Sequence, residues 1–172
     1  MRLHPGRPTR VAVDTNILLH LAEGLDPIWD VINVIKTRLS PLQIIVSPTT
    51  GQELAYFAAH APDPHLRETG LKALQKMVVE WRFHLVDLVP VGHGIVEQIA
   101  VKLRREKLLP DQEINDSLIL AESALLDCHV LLTGDAHLRA VDFQRLALLL
   151  QTMDVEAPLI ATPREIVRKF HP

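Results

Sequence analysis

Val11-Ala12-Val13-Asp14-Thr15-Asn16 is the stretch that decides the fold. Three small apolar residues make a short buried strand, and the acid after them stands where the chain turns into the helical stretch starting at Asn16. The same succession returns far along the chain, where Val130-Leu131-Leu132 runs into Thr133-Gly134-Asp135. Elsewhere short apolar runs alternate with longer amphipathic ones. Strands are expected at 11–13, 43–46, 83–89, 129–132 and 158–161. Helices are expected from Asn16 to Ala22 and over 27–39, 48–60 and 65–81. Gly92 and Gly94 lead into another reaching Lys107, Pro110 opens one reaching Leu126, and a last short one starts at Pro163. Such alternation predicts an α/β fold, a three-layer α/β/α sandwich around a central, mostly parallel sheet of about five strands. In open sheets of this kind, sites form outside the carboxyl ends of the strands.

Composition agrees with a single globular domain over residues 1–172, since 48% of residues are hydrophobic and 23% charged. Aromatics are only 4%, so the core must be aliphatic. Cys128 is the one cysteine, which excludes an internal disulfide and suits a reducing compartment. No signal-like or membrane-length apolar stretch is present, so a cytoplasmic protein with no membrane partner is expected. The 18 basic and 21 acidic residues give a formal charge of −3, unlike a strongly basic nucleic-acid binder. With four acids set aside as metal ligands, the 21 fall to 17 against 18 basic residues. Net charge therefore excludes neither class.

Four acids stand out. Asp14 and Asp135 each follow a buried strand, where Asp also serves as a helix N-cap. Glu53 lies in Thr50-Gly51-Gln52-Glu53, the spacing of a capping box, so taken alone it reads as a cap. Asp116 interrupts the otherwise apolar face of Asn115-Asp116-Ser117-Leu118-Ile119-Leu120-Ala121, where a charge is costly unless paired or metal-bound. Pro110 and Asp111 supply the helix start there, leaving Asp116 without a capping role. Two like charges about 4 Å apart repel by roughly 4 kcal/mol at an effective dielectric near 20. A shared divalent cation would turn that repulsion into a binding site, and all-carboxylate ligation favours Mg²⁺ or Mn²⁺. The chain has no HExxH, paired cysteines or close His pair to suggest zinc.

These residues resemble the PIN-domain nucleases, a family that includes VapC-type toxins. The opening motif is 11–16; the later ones are Asn115-Asp116-Ser117-Leu118-Ile119-Leu120-Ala121-Glu122 and Val130 to Asp135, with Pro158 to Glu165 similar to the family's last strand and helix. The resemblance implies a metal-dependent ribonuclease that hydrolyses RNA phosphodiester bonds. It implies catalytic Asp14, Glu53, Asp116 and Asp135, with Asp14, Asp116 and Asp135 holding one or two Mg²⁺ or Mn²⁺ ions. Asn16 and Thr133 match supporting positions. An antitoxin protein is the partner such a toxin would have. The apolar faces of the helical segments 26–39 and 65–81 offer a homodimer interface, with ordinary core packing as the alternative. The 63-residue interval from Glu53 to Asp116 looks longer than in compact toxins, which puts a helical elaboration at 62–90 and leaves toxin identity open. Residues 1–9, with Pro5 and Pro8, read as a flexible arm.

Arg104, Arg105 and Lys107, with Lys102, form the densest basic cluster; they are the candidate RNA contacts, with a solvated helix face as the alternative. A haloacid-dehalogenase phosphatase needs Asp-x-Asp, and Asn16 stands in the second place. A response-regulator receiver needs an acidic pair near its first strand and a lysine after its last, and both are missing. The remaining rival is a catalytically silent PIN-like RNA-binding or scaffold protein.

Overall fold

A computed structural model describes residues 7–170. Most of the expected arm at 1–9 lies outside them, and Thr9 already belongs to a strand. The elements run β1 (Thr9–Val13), α1 (Thr15–Glu23), α2 (Asp26–Arg38), β2 (Leu42–Val46), α3 (Pro48–His60), α4 (Pro64–Val79) and β3 (His84–Leu85). They continue with α5 (Pro90–Arg105), α6 (Ile114–Leu125), β4 (Val130–Leu132), α7 (Ala136–Arg139), α8 (Phe143–Gln151), β5 (Leu159–Ala161) and α9 (Pro163–Phe170). The segment 62–90 thus contributes α4 and the edge strand β3.

All five strands pair in parallel in the order β3-β2-β1-β4-β5. The fold is the α/β/α sandwich expected from the sequence. Alternation along the strands splits the core in two. Val11, Val13, Ile44, Val46, Val130 and Leu132 face the cluster that includes Ile17, Val31, Ala73 and Ile166 of α1, α2, α4 and α9. Ala12, Ile45 and Leu131 face the cluster that includes Ile99, Leu120 and Leu146 of α5, α6 and α8. Both clusters are dominated by aliphatic side chains, as the low aromatic content demands.

Prolines mark helix starts, where the missing N–H is no loss: α2, α3, α4 and α5 each carry one in the first two positions. Gly24 closes α1 at φ 80°, a conformation that suits a residue without Cβ. Three expectations need correction. The helix expected from Pro110 begins at Ile114; residues 110–113 form a turn in which Glu113 N–H donates to the Pro110 carbonyl, and Asp111 pairs with Lys107 instead of capping. The third strand shrinks to His84–Leu85, because the chain leaves the edge before the charged Asp87. The helices α7 and α8 are additions to the expected elements; each is capped by an aspartate, Asp135 and Asp142. Among the described residues no helix is long and apolar enough to cross a membrane.

Leu120 is fully buried in the second cluster. Its replacement by Ala should lower unfolding free energy by about 2–5 kcal/mol in urea titrations, through reduced burial and the cavity left behind.

Candidate active site

The sheet order reverses direction between β1 and β4, which lie side by side at the centre. Such a switch point opens a crevice at the carboxyl ends of the strands. Asp14 leaves β1 there, and its N–H donates to the Leu132 carbonyl of β4 at 3.0 Å. Only 4% of Asp14 is exposed. Its Oδ1 accepts from Thr15 N–H at 2.7 Å, which makes it the cap of α1. Its Oδ2 accepts from Thr133 Oγ1 at 2.6 Å and Asn16 Nδ2 at 2.5 Å. Asn16, in the first turn of α1, and Thr133, just past β4, thus both donate to Asp14. Burial pushes the Asp14 carboxyl above its ordinary range, against the lowering by those hydrogen bonds, and Glu53 and Asp135 add to the rise.

Asp135 is also a cap, its Oδ1 accepting from His137 and Leu138 N–H at 2.7 and 3.0 Å. Asp116 sits in the first turn of α6 because that helix starts late. A carboxylate is favoured there by the exposed N–H groups, so its position is less anomalous than an interior one. Its pKa is nonetheless pushed up to about 7, by burial first and then by Asp135, Asp14 and Glu113, with a hydrogen bond to Asp135 adding to the rise. The charges that raise Asp116, those of Asp135, Asp14 and Glu113, are all carboxylates.

Glu53 is not half of a capping box. Pro48 starts α3, so Ser47 is the cap residue and Glu53 lies in the second turn. Its two oxygens accept from Thr15 Oγ1 at 2.5 Å and Asn115 Nδ2 at 2.6 Å. Those partners neighbour Asp14 and Asp116, so Glu53 is turned toward the other acids. The reciprocal capping pattern occurs instead at α9, where Glu165 Oε2 accepts from Thr162 N–H and Glu165 N–H donates to Thr162 Oγ1.

The four acids thus surround one end of β1, and among the described residues neither Asp14 nor Asp116 forms an ion pair with Lys, Arg or His. As these side chains stand, among the described residues no three His, Cys, Asp or Glu are gathered tightly enough to grip an ion. The donor chemistry nonetheless fits a hard divalent cation: oxygen ligands only, and carboxylates whose like charges raise one another's pKa. Side-chain rotation is the adjustment that ligation would need.

Of the basic candidates, Arg104 donates to Ser117 Oγ in the first turns of α6, and Lys107 is held by Asp111 at 2.6 Å. Arg105 faces a separate groove with Glu97 and Glu106. Cys128 is buried, and burial pushes its thiol up to about 12.

Sequence reasoning missed Glu122. It is 2% exposed and accepts from Thr49 N–H at 3.1 Å and Thr49 Oγ1 at 2.7 Å, with Ser47 adding another hydrogen bond. This carboxylate on α6 grips the N-terminus of α3, and so couples the helix of Asp116 to the helix of Glu53. Its signal was available: like Asp116, it is a charge among apolar neighbours, Ala121 and Ala124.

An α/β/α domain with four acids around a sheet switch point is the class these features define. The PIN domain family model matches residues 11–144, and the chain belongs to that family. A search of curated proteins finds no match. Two solved structures share the fold. VapBC2 of Rickettsia felis, bound to a DNA fragment from its promoter, has TM-score 0.60 and 14% identity, covering 90% of this chain and 98% of that one. VapBC-1 of nontypeable Haemophilus influenzae has TM-score 0.59 and 19% identity, covering 91% and 99%.

Two outcomes follow from this geometry. An acid whose pKa is raised by folding binds its proton more tightly in the native state, so its contribution falls as pH rises from the unfolded to the folded value. For Asp116 that window is 3.8 to about 7. In metal-free buffer, Asp116→Asn should therefore melt above the parent protein at pH 8 and show little difference at pH 3.5. Glu122→Ala strands the buried Thr49 donors and should destabilise by about 1–3 kcal/mol in urea titrations, with Glu122→Gln losing less.

Proposed function

We propose that this protein is a metal-dependent endoribonuclease, a hydrolase of RNA phosphodiester bonds in single-stranded or structured RNA. The observation that carries the reading is the buried Asp14 carboxylate, which stands among Glu53, Asp116 and Asp135 and forms no ion pair among the described residues. Asp14, Asp116 and Asp135 would hold one or two Mg²⁺ or Mn²⁺ ions. Bound there, such an ion lowers the pKa of water and polarises the scissile phosphate.

The chain's own residues have separable tasks. Thr133 and Asn16 fix Asp14 by donating to one oxygen, and Thr15 N–H fixes the other. Glu53, held by Thr15 and Asn115, serves as a further ligand or orients the attacking water. Attack of that water on phosphorus forms the new P–O bond and breaks the ester, and the leaving oxygen takes up a proton. The likeness to VapBC structures supports a toxin role with an antitoxin partner. The lone Cys128 suits a reducing cytoplasm, and a homodimer is the assembly we propose.

A catalytically silent RNA-binding or scaffold domain is the second reading, favoured by the capping roles of Asp14 and Asp135. Incubation with single-stranded RNA in Mg²⁺, Mn²⁺ or EDTA separates the two. Cleavage should require a divalent ion and vanish in Asp14→Asn, whose melting temperature should stay level or rise. Thr133→Val should lose about 10–100-fold in activity, as loss of a ligand's supporting hydrogen bond does. RNA binding without cleavage in any metal selects the silent reading; a fully active Asp14→Asn protein refutes the site.

A further inference from the structure

Three arginines surround a groove that begins where the acidic cluster ends. The groove, about 650 Å³, is bounded by Gly134, Arg139, Arg164, Arg168 and, on α2, Asp30. Pro163 and Val167 give it an apolar floor. Arg164 and Arg168 are four residues apart on α9, hence on one face. Arg139 ends α7, the helix that Asp135 caps. All three are exposed. Ion pairs among the described residues involve His65, Lys76, His93, Lys107 and His137, and none of these arginines. The acids facing them are Asp30 and Glu165, and the Glu165 carboxylate is already engaged by Thr162 N–H and Oγ1 at 2.8 Å each. Three cations therefore outnumber two carboxylates. Gly134 ties the groove to the site, since its N–H donates to Asn16 Oδ1 at 3.0 Å while Asn16 donates to Asp14.

We propose that this groove holds the phosphodiester backbone of a single polynucleotide strand as it enters the carboxylate site. The inference rests on the nuclease reading. A cluster of carboxylates repels a polyanion, so a strand brought to it must be held by cations close by. Arginine forks match phosphate oxygens in geometry as well as charge. Forks on two helices suit a run of phosphates better than one isolated anion, and their exposure suits a substrate that must come and go. The groove shares no residue with the basic cluster of Arg104, Arg105 and Lys107, two of which are engaged with Ser117 and Asp111.

The test is fluorescence anisotropy with short labelled single-stranded RNA and DNA of the same sequence, in EDTA, over about 50–200 mM salt. The parent protein is compared with the Arg139→Ala/Arg164→Ala/Arg168→Ala triple variant, each single variant, and Lys72→Ala on the exposed face of α4 as control. The triple variant should bind at least about tenfold more weakly, and its slope of log K against log salt should be shallower by about 2, from roughly 0.7 for each phosphate no longer neutralised. Each single variant should lose about 0.7 of slope, which preserves the readout if the triple variant fails to fold. In Mg²⁺, KM for RNA should rise with kcat retained. Equal weakening on RNA and DNA supports binding through phosphate; weakening on one alone overturns it, because phosphates are common to both. Unchanged affinity and slope in the triple variant, with cleavage still abolished by Asp14→Asn, overturns the groove and leaves the nuclease standing. Loss of an acidic protein partner with RNA binding intact reassigns the groove to protein docking. A parent protein that neither binds nor cleaves RNA removes both readings together.

Discussion

A carboxylate buried at the carboxyl end of the central strand, with like charges around it, is the constraint on which the rest of the site depends. Removing an ion from water is expensive, and a buried acid normally finds a cation or loses its charge. Asp14 finds only hydrogen-bond donors: Thr15 N–H, Asn16 and Thr133. Those donors come from the residues that follow the two strands at the switch point, so the sheet order itself creates the pocket. The strand-pairing register that sets Val13 beside Leu132 brings Thr133 within reach of Asp14. A slip of one residue would turn each strand's core side chains to the wrong face and dissolve the site with them.

Holding such a cluster together requires rigidity from elsewhere. Part comes from the two aliphatic clusters, which clamp β1 and β4 from both faces. Part comes from Glu122, which places a second buried carboxylate on the start of α3. Burial pushes the Glu122 pKa up, and the donors at the α3 N-terminus, which lack intrahelical partners, offset part of that rise. With α3 fixed to α6, Glu53 and Asn115 meet across the gap at 2.6 Å. The acids thus occupy different elements whose separations are set by tertiary contacts rather than by local sequence.

This distinction explains what the sequence disclosed. Asp14 and Asp135 were legible because a strand end followed by an acid is a local pattern, and the sheet order then brought the two ends together. Their capping roles are real too, so capping and membership in the cluster were never exclusive. Glu53 was ambiguous because Thr50 offered the right spacing for a capping box, while Pro48 moved the helix start one turn earlier. The genuine box lies at Thr162 and Glu165, in a short terminal helix where the sequence pointed only to a proline start. At 110–113 a proline followed by an aspartate imitated a helix start, yet Lys107 drew Asp111 into an ion pair and the chain turned first. Arg139 and Arg164 lie far apart along the chain, and they line one groove because α7 packs on β5, the strand that leads directly into α9. No periodicity or spacing rule could have joined them.

Their arrangement also explains why net charge was silent. The protein is weakly acidic overall, yet four of its 21 acids stand together at the crevice and three arginines line a groove beside it. A divalent ion in the crevice and a polyanionic strand on the rim would each relieve a repulsion felt by the other. The ion would reduce the field opposing the phosphates, and the phosphates would supply charge and oxygen atoms that favour the ion. By thermodynamic reciprocity, whatever factor the ion adds to strand affinity, the strand must add to ion affinity.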